Sequence, residues 1–107
     1  MRRWVLDRQA EADLQAQLDY LIEYGAVDAA ERLSARLKAF LRDFLTVYPS
    51  TGIFLDHRGL WETWLPRTRL VVWYRFTDAE VQIARIWHAA QDRQSTPPSA
   101  EPSSVPL

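Results

Sequence analysis

The chain has 107 residues, 48% hydrophobic and 25% charged, which sets the scale of one globular domain with a single modest core. A formal net charge of −1 provides no global positive field for nucleic acid, and the absence of cysteine excludes a disulfide framework and a thiolate metal site. No run approaches the roughly 18 consecutive apolar residues of a membrane span, and Trp4-Val5-Leu6 is too short for a signal-peptide core, so a cytoplasmic protein is expected.

Arg2 to Leu6, apolar at Trp4, Val5 and Leu6, predicts a first strand. Asp7 can cap the helix that follows, its carboxylate accepting from free N–H groups of the first turn. Ala10, Leu14, Leu18, Leu21 and Ile22 then recur at spacings of three and four, with Asp13, Gln15, Gln17 and Glu23 at complementary positions. Gly25 suits the left-handed residue that closes a helix.

Asp28-Ala29-Ala30-Glu31 has the form of a capping box and predicts a second helix, with Leu33, Leu37, Phe40, Leu41, Phe44 and Leu45 as its buried stripe. Pro49 stops it. The short connection makes the two helices an antiparallel hairpin. His57-Arg58-Gly59 reads as a loop before a strand.

Leu60 to Leu65, Arg69 to Phe76 and Glu80 to His88 are rich in β-branched and aromatic residues and predict three strands of an antiparallel meander. In the middle one, Leu70, Val72, Tyr74 and Phe76 share a face; Arg69, Val71, Trp73 and Arg75 share the other. The helical hairpin is the available cover for one face, which gives a two-layer α+β domain over residues 1–94 with an antiparallel sheet. Residues 95–107 carry four of the six prolines and read as a disordered tail. Trp61, Trp64, Trp73 and Trp87 read as core or interface filler rather than as a base-stacking platform.

Charge is unevenly placed. Residues 1–56 hold seven basic and nine acidic side chains, whereas residues 57–94 hold six Arg against four acids, plus His57 and His88. An anion-facing surface therefore belongs to the second half of the chain.

The order of strand, helix hairpin and three-stranded meander resembles the RelE/ParE superfamily of toxins from type II toxin–antitoxin systems. Three segments carry the resemblance up to Arg93. AEADLQAQLDYLIEYGAVDAAERLSARLKAFLRDFLTVYPSTG looks like the family's paired helices. TRLVVWYRF is similar to the strand in which Arg precedes aliphatics and Tyr-Arg, and VQIARIWHAAQDR is similar to the ParE-type closing strand. The resemblance implies a growth-regulating or plasmid-stabilising toxin held silent in a hetero-oligomer with a ParD-like antitoxin. In the ParE-like branch the target is DNA gyrase; in the RelE-like branch it is messenger RNA at the ribosome. A non-toxic remnant that only binds its antitoxin is a third reading.

Metal-free RNA cleavage needs a base, an acid and positive charge on the phosphorane-like transition state. Glu62, His88, Arg69 and Arg85 are the residues that can fill those roles, in that order. The chain departs from the nuclease pattern: Ala89 rather than Tyr follows His88, and the only Lys is Lys38. Each residue also has a structural reading. His88 can be a hydrogen-bonded structural histidine, Glu62 a surface strand residue, and Arg85 the partner of a carboxylate such as Glu62. Arg69 and Arg75 share a face about 20 Å apart, too far to grip one phosphate; Arg75 reads as a solvated or antitoxin-facing charge. A gyrase inhibitor needs a complementary surface instead, and Trp87, His88, Gln91, Asp92 and Arg93 are the expected target-binding segment. Leu14, Leu18, Leu37, Arg69 and Arg75 are the expected antitoxin contacts, within a groove between hairpin and sheet. No cofactor is expected, and two histidines without cysteine make no metal site.

Overall fold

Four-residue β1 (Arg3–Leu6) feeds directly into α1 (Arg8–Glu23), and a Schellman turn joins α1 to α2 (Val27–Phe40). Gly25 at φ +77° makes that turn possible: its N–H donates to Ile22 O and the N–H of Ala26 to Leu21 O, satisfying two carbonyls at the helix end. The helix starts differ from expectation. Asp7 stands at the N-cap of α1 without a side-chain cap bond; its Oδ2 lies 3.5 Å from Arg75 Nη2 instead. Asp28 falls inside the first turn of α2, whose N-cap is Ala26. The computed structural model describes residues 2–89; the expected tail at 95–107 lies outside them.

The second helix does not continue as α to its end. Leu41–Leu45 is a π turn, in which Thr46 N–H donates to Leu41 O, five residues back. This keeps Leu41 and Leu45 fully buried while turning Phe44 outward, against the expectation that all three share one buried stripe. Phe44 instead stacks between Phe40 and Tyr48, with centroids 5.3 and 5.4 Å away. Ile22, also expected inside, is exposed near the hairpin tip.

The sheet has five strands in the order β1-β5-β4-β3-β2, with β2 Ile53–Leu55, β3 Leu60–Trp64, β4 Leu70–Phe76 and β5 Glu80–His88. The meander β2-β3-β4-β5 is antiparallel, but β1 pairs with β5 in parallel, so the sheet is mixed rather than antiparallel throughout. Strand direction is a property of the connections, and a hydrophobic pattern is the same whichever way the strand runs. Strand β2 is too short for periodicity to reveal it. Gly52 seats it: a Cβ there would stand 2.5 Å from Tyr74 Oη and 2.6 Å from Glu62 O. Tyr74 Oη donates to Pro49 O at 2.6 Å, and burial pushes its phenol up to about 12.

The main core lies between helices and sheet. Ala10, Leu14, Leu37 and Leu41 meet Val72, Tyr74, Ile83 and Ile86 there, all nearly or fully buried. The alternation read in the middle strand places Leu70, Val72, Tyr74 and Phe76 on this side, and Val71 and Trp73 in a second cluster on the opposite face. Neither α1 nor α2 contributes a residue to that second cluster; Ala89, just after β5, does.

The turn from β3 to β4 contains local strain. Thr68 N–H donates to Leu65 O, with Pro66 second and Arg67 third at φ +64°, the place where a type II turn prefers glycine. Because an L-residue there costs about 1–2 kcal/mol, offset in part by the extra chain entropy of glycine, Arg67→Gly should raise unfolding stability by about 0.5–1 kcal/mol. Urea denaturation of the two proteins measures this; no gain in midpoint would show that the turn relaxes around Arg67.

Candidate functional site

Strand β5 has two halves in opposite phase. Val81, Ile83 and Arg85 alternate inward, and then Ile86 is buried next to Arg85. The cause is one extra residue at Ala84: Tyr74 pairs with Ile83, whereas Trp73 pairs with Arg85. The bulge leaves Arg85 aimed at the helix layer and returns Trp87 to the open face.

There Arg85 meets Asp13 of α1. Arg85 Nε and Nη2 donate to the two Asp13 oxygens at 2.6 and 3.0 Å, and the Ile86 N–H donates to Asp13 Oδ2 at 3.0 Å. The side chains are only 6% and 11% exposed, so a bidentate, charge-assisted pair closes the end of the core. The expectation that Arg85 pairs with a carboxylate is right in kind and wrong in partner. Glu62 lies across β4 on the opposite face, where its Oε2 accepts from Trp73 Nε1 at 2.9 Å. The clue to Asp13 was present in its position three residues after Ala10, at the edge of the buried stripe rather than opposite it.

The open face carries a row across three strands. Trp64 opposes Val71, and Val71 opposes Trp87. Trp73 and Trp87 pack edge to face with centroids 5.6 Å apart, and the Arg58 guanidinium stands 4.9 Å from the Trp73 ring centre. Leu55 and Leu60 complete this small second core, whereas Trp64 is 51% exposed. Trp87 Nε1 is buried without a hydrogen-bond partner among the described residues, a state that costs about 1–3 kcal/mol. Toward the other end of the face, Arg75 Nε donates to Gln82 Oε1, Gln82 Nε2 to Glu80 Oε2, and Arg3 Nε to Glu80 Oε1.

The structure therefore separates the residues proposed for RNA cleavage. Arg85 belongs to the core pair and Glu62 to the Trp73 indole, on opposite faces of the sheet. Arg69 and His88 do meet at one end: His88 pairs with Leu70, and the Ala89 N–H donates to Arg69 O at 2.8 Å. Burial, and then the charge of Arg69, hold the His88 imidazole below its ordinary value. Among the expected target-binding residues Trp87 is half-buried on Trp73, and Gln91, Asp92 and Arg93 lie outside the described residues.

Of the expected antitoxin contacts, Leu14 and Leu37 are core residues that offer almost no surface, Leu18 is half-buried, and Arg69 and Arg75 are exposed. Exposed apolar surface on the helical side comes instead from Tyr20, Ile22, Tyr24 and Val27 at the hairpin tip, and from Phe44 and Tyr48 on the aromatic ladder. Of these, Ile22 and Phe44 were expected in the buried stripes, and the π turn that carries Phe44 outward is invisible to a period of 3.6 residues.

A helical hairpin on one face of a small mixed five-stranded sheet defines a two-layer α+β domain. Over residues 5–93 the chain matches the family described as ParE toxin of the type II toxin–antitoxin system parDE. It belongs to that family, and is a ParE-type toxin. A solved structure of the chromosomal ParDE TA system from P. aeruginosa shares the fold, with a TM-score of 0.62 and 23% identity, covering 82% of this chain and 96% of that one. No curated protein matches the chain.

Two outcomes test the site. Asp13→Ala should cost about 3–5 kcal/mol by removing the buried carboxylate that accepts from Arg85 and from the Ile86 N–H, whereas Asp13→Leu with Arg85→Leu should lose much less. Denaturant titration distinguishes them, and equal losses would mean the pair itself stabilises the fold. Arg69→Gln should raise the His88 pKa by removing a repulsive charge while leaving it below 6.5, since burial remains. NMR titration of the imidazole reads this directly; an unmoved pKa would remove Arg69 from the environment of His88.

Proposed function

We propose that this toxin inhibits DNA gyrase without a catalytic step of its own and is neutralised in the cytoplasm by a ParD-like antitoxin. One observation carries the reading: two of the four groups an RNA-cleaving centre would need here, Arg85 and Glu62, are committed to structural bonds on opposite faces of the sheet. Releasing Arg85 for chemistry would leave Asp13 charged in the core, a loss of several kcal/mol. The single Lys, Lys38, on α2, agrees with this, since RNA binding draws on many phosphate contacts.

The antitoxin surface belongs to the helical layer in this reading. An amphipathic antitoxin helix lays its apolar anchors along half-buried Leu18 and the exposed Phe44–Tyr48 ladder, with Leu14 and Leu37 forming the rigid floor beneath. Arg69 and Arg75, exposed on the opposite face, take acids from an extended stretch of antitoxin that wraps the sheet edge. The gyrase-contacting segment runs through Trp87 and His88 to Gln91, Asp92 and Arg93. Such a pair regulates growth and stabilises the replicon that carries it.

Induction of the chain alone in a bacterium, with pulse labelling of DNA, RNA and protein synthesis, tests the target. DNA synthesis should stop first, purified gyrase should accumulate cleaved plasmid in the presence of the toxin, and Arg69→Ala or His88→Ala should leave this activity intact. Protein synthesis stopping first, with loss of activity in both variants, would establish the ribonuclease instead. No arrest at all, with retained antitoxin binding, would mark a remnant.

A further inference from the structure

An edge strand presents unpaired N–H and C=O groups, and proteins guard such edges with charges, proline, bulges or a covering segment. Strand β2, Ile53-Phe54-Leu55, is an edge strand with no charge, proline or bulge in it. Among the described residues no strand pairs with its outer side. It closes the longest uncharged run of the chain, Phe44 to Leu55, in a sequence that is 25% charged. Phe44, Val47, Tyr48, Ile53 and Phe54 of that run are exposed, Ile53 by 67%. An unguarded edge flanked by exposed apolar side chains marks a surface that meets another chain.

We propose that β2 pairs antiparallel with β2 of a second copy, about a two-fold axis at Phe54, so that the free toxin forms a weak dimer. Self-complementarity points to this occupant. With the axis at Phe54, that residue faces its own copy and Ile53 faces Leu55, so all three strand residues gain apolar partners. The two faces of the sheet continue correctly across the axis. Phe54 opposes Trp61, which packs on the main core, whereas Ile53 opposes Glu62 on the other face. A two-fold axis perpendicular to the sheet therefore sets core side beside core side.

Charge and area fit the same occupant. Asp56 falls opposite Gly52 in this register, so no like charges face each other across the axis. The run offers no cation to an acidic segment and no acid to a basic one, which favours its own copy over an oppositely charged partner. With about 200 Å² for an aromatic side chain, the exposed parts of the five residues amount to roughly 400–500 Å² per copy. The pair then buries about 900 Å², just short of the ~1,000 Å² that a specific interface clears. Dissociation on the order of 10–100 μM is the expected strength. The inference does not rest on the gyrase reading. Its helical flank is the Phe44–Tyr48 ladder offered above to the antitoxin helix, so antitoxin binding and self-pairing compete for that flank.

Sedimentation equilibrium of the full chain should show monomer and dimer exchanging across that concentration range. Ile53→Lys changes a site exposed enough to leave the fold intact, and should weaken the dimer about tenfold by placing two ammonium groups beside the axis. Ile22→Lys removes apolar surface at the hairpin tip instead and should leave the equilibrium unchanged. The register has its own test, because the chain has no native cysteine. Directly opposed residues of an antiparallel pair have Cα atoms about 4.5–5.5 Å apart, within disulfide range. Two copies of residue 53 lie on the diagonal, about 7–8 Å apart. Under mild oxidation Phe54→Cys should thus cross-link to its own copy roughly fivefold faster than Ile53→Cys. A chain that stays monomeric to about 1 mM, equal weakening by Ile22→Lys, or equal cross-linking of the two cysteine variants overturns the proposal.

Discussion

The buried contact between Asp13 and Arg85 sets the relation of the helical layer to the sheet. A guanidinium and a carboxylate each lose several kcal/mol of hydration on burial, so the pair is tolerable only in a geometry that returns most of it. Two N–H groups of Arg85 and the amide of Ile86 all converge on one carboxylate, which supplies that geometry. Few rotations of α1 over β5 preserve three such bonds. Apolar packing of Ala10 and Leu14 alone tolerates sliding, whereas the ion pair selects one register.

Much of this architecture was legible from residue pattern. Helix α1 ends where Gly25 requires, and the three long strands fall within a residue of their expected limits because alternation and β-branched content agree there. What could not be read has identifiable causes. Strand β2 is three residues long, below any period, and its presence depends on the tight seat of Gly52 against Tyr74. The parallel placement of β1 depends on the path of the whole chain. The π turn at Leu41–Leu45 shifts the phase of a stripe that is otherwise regular, which is why Phe44 was assigned to the core.

The site was less legible than the fold. Arg85, Glu62, Arg69 and His88 are chemically suited to a nuclease and lie close together in sequence and across neighbouring strands. Only their directions decide whether they converge. Arg85 and Glu62 diverge to opposite faces, and direction at Arg85 is set by a bulge that no composition reports. Conversely the polar network of Arg75, Gln82, Glu80 and Arg3 keeps one end of the open face hydrated, which confines its apolar character to the tryptophan end.

The extra residue at Ala84 also governs how ancestry can be traced through this strand. Because side chains alternate, a relative lacking it would carry the residue opposite Trp73 on the open face, while the counterparts of Ile86 and Trp87 kept their partners and their faces. A gapless alignment would then equate an inward side chain with an outward one. The inward aim of Arg85 is therefore carried by the insertion as much as by the residue itself, and a single-codon deletion would turn that guanidinium to the open face in one evolutionary step.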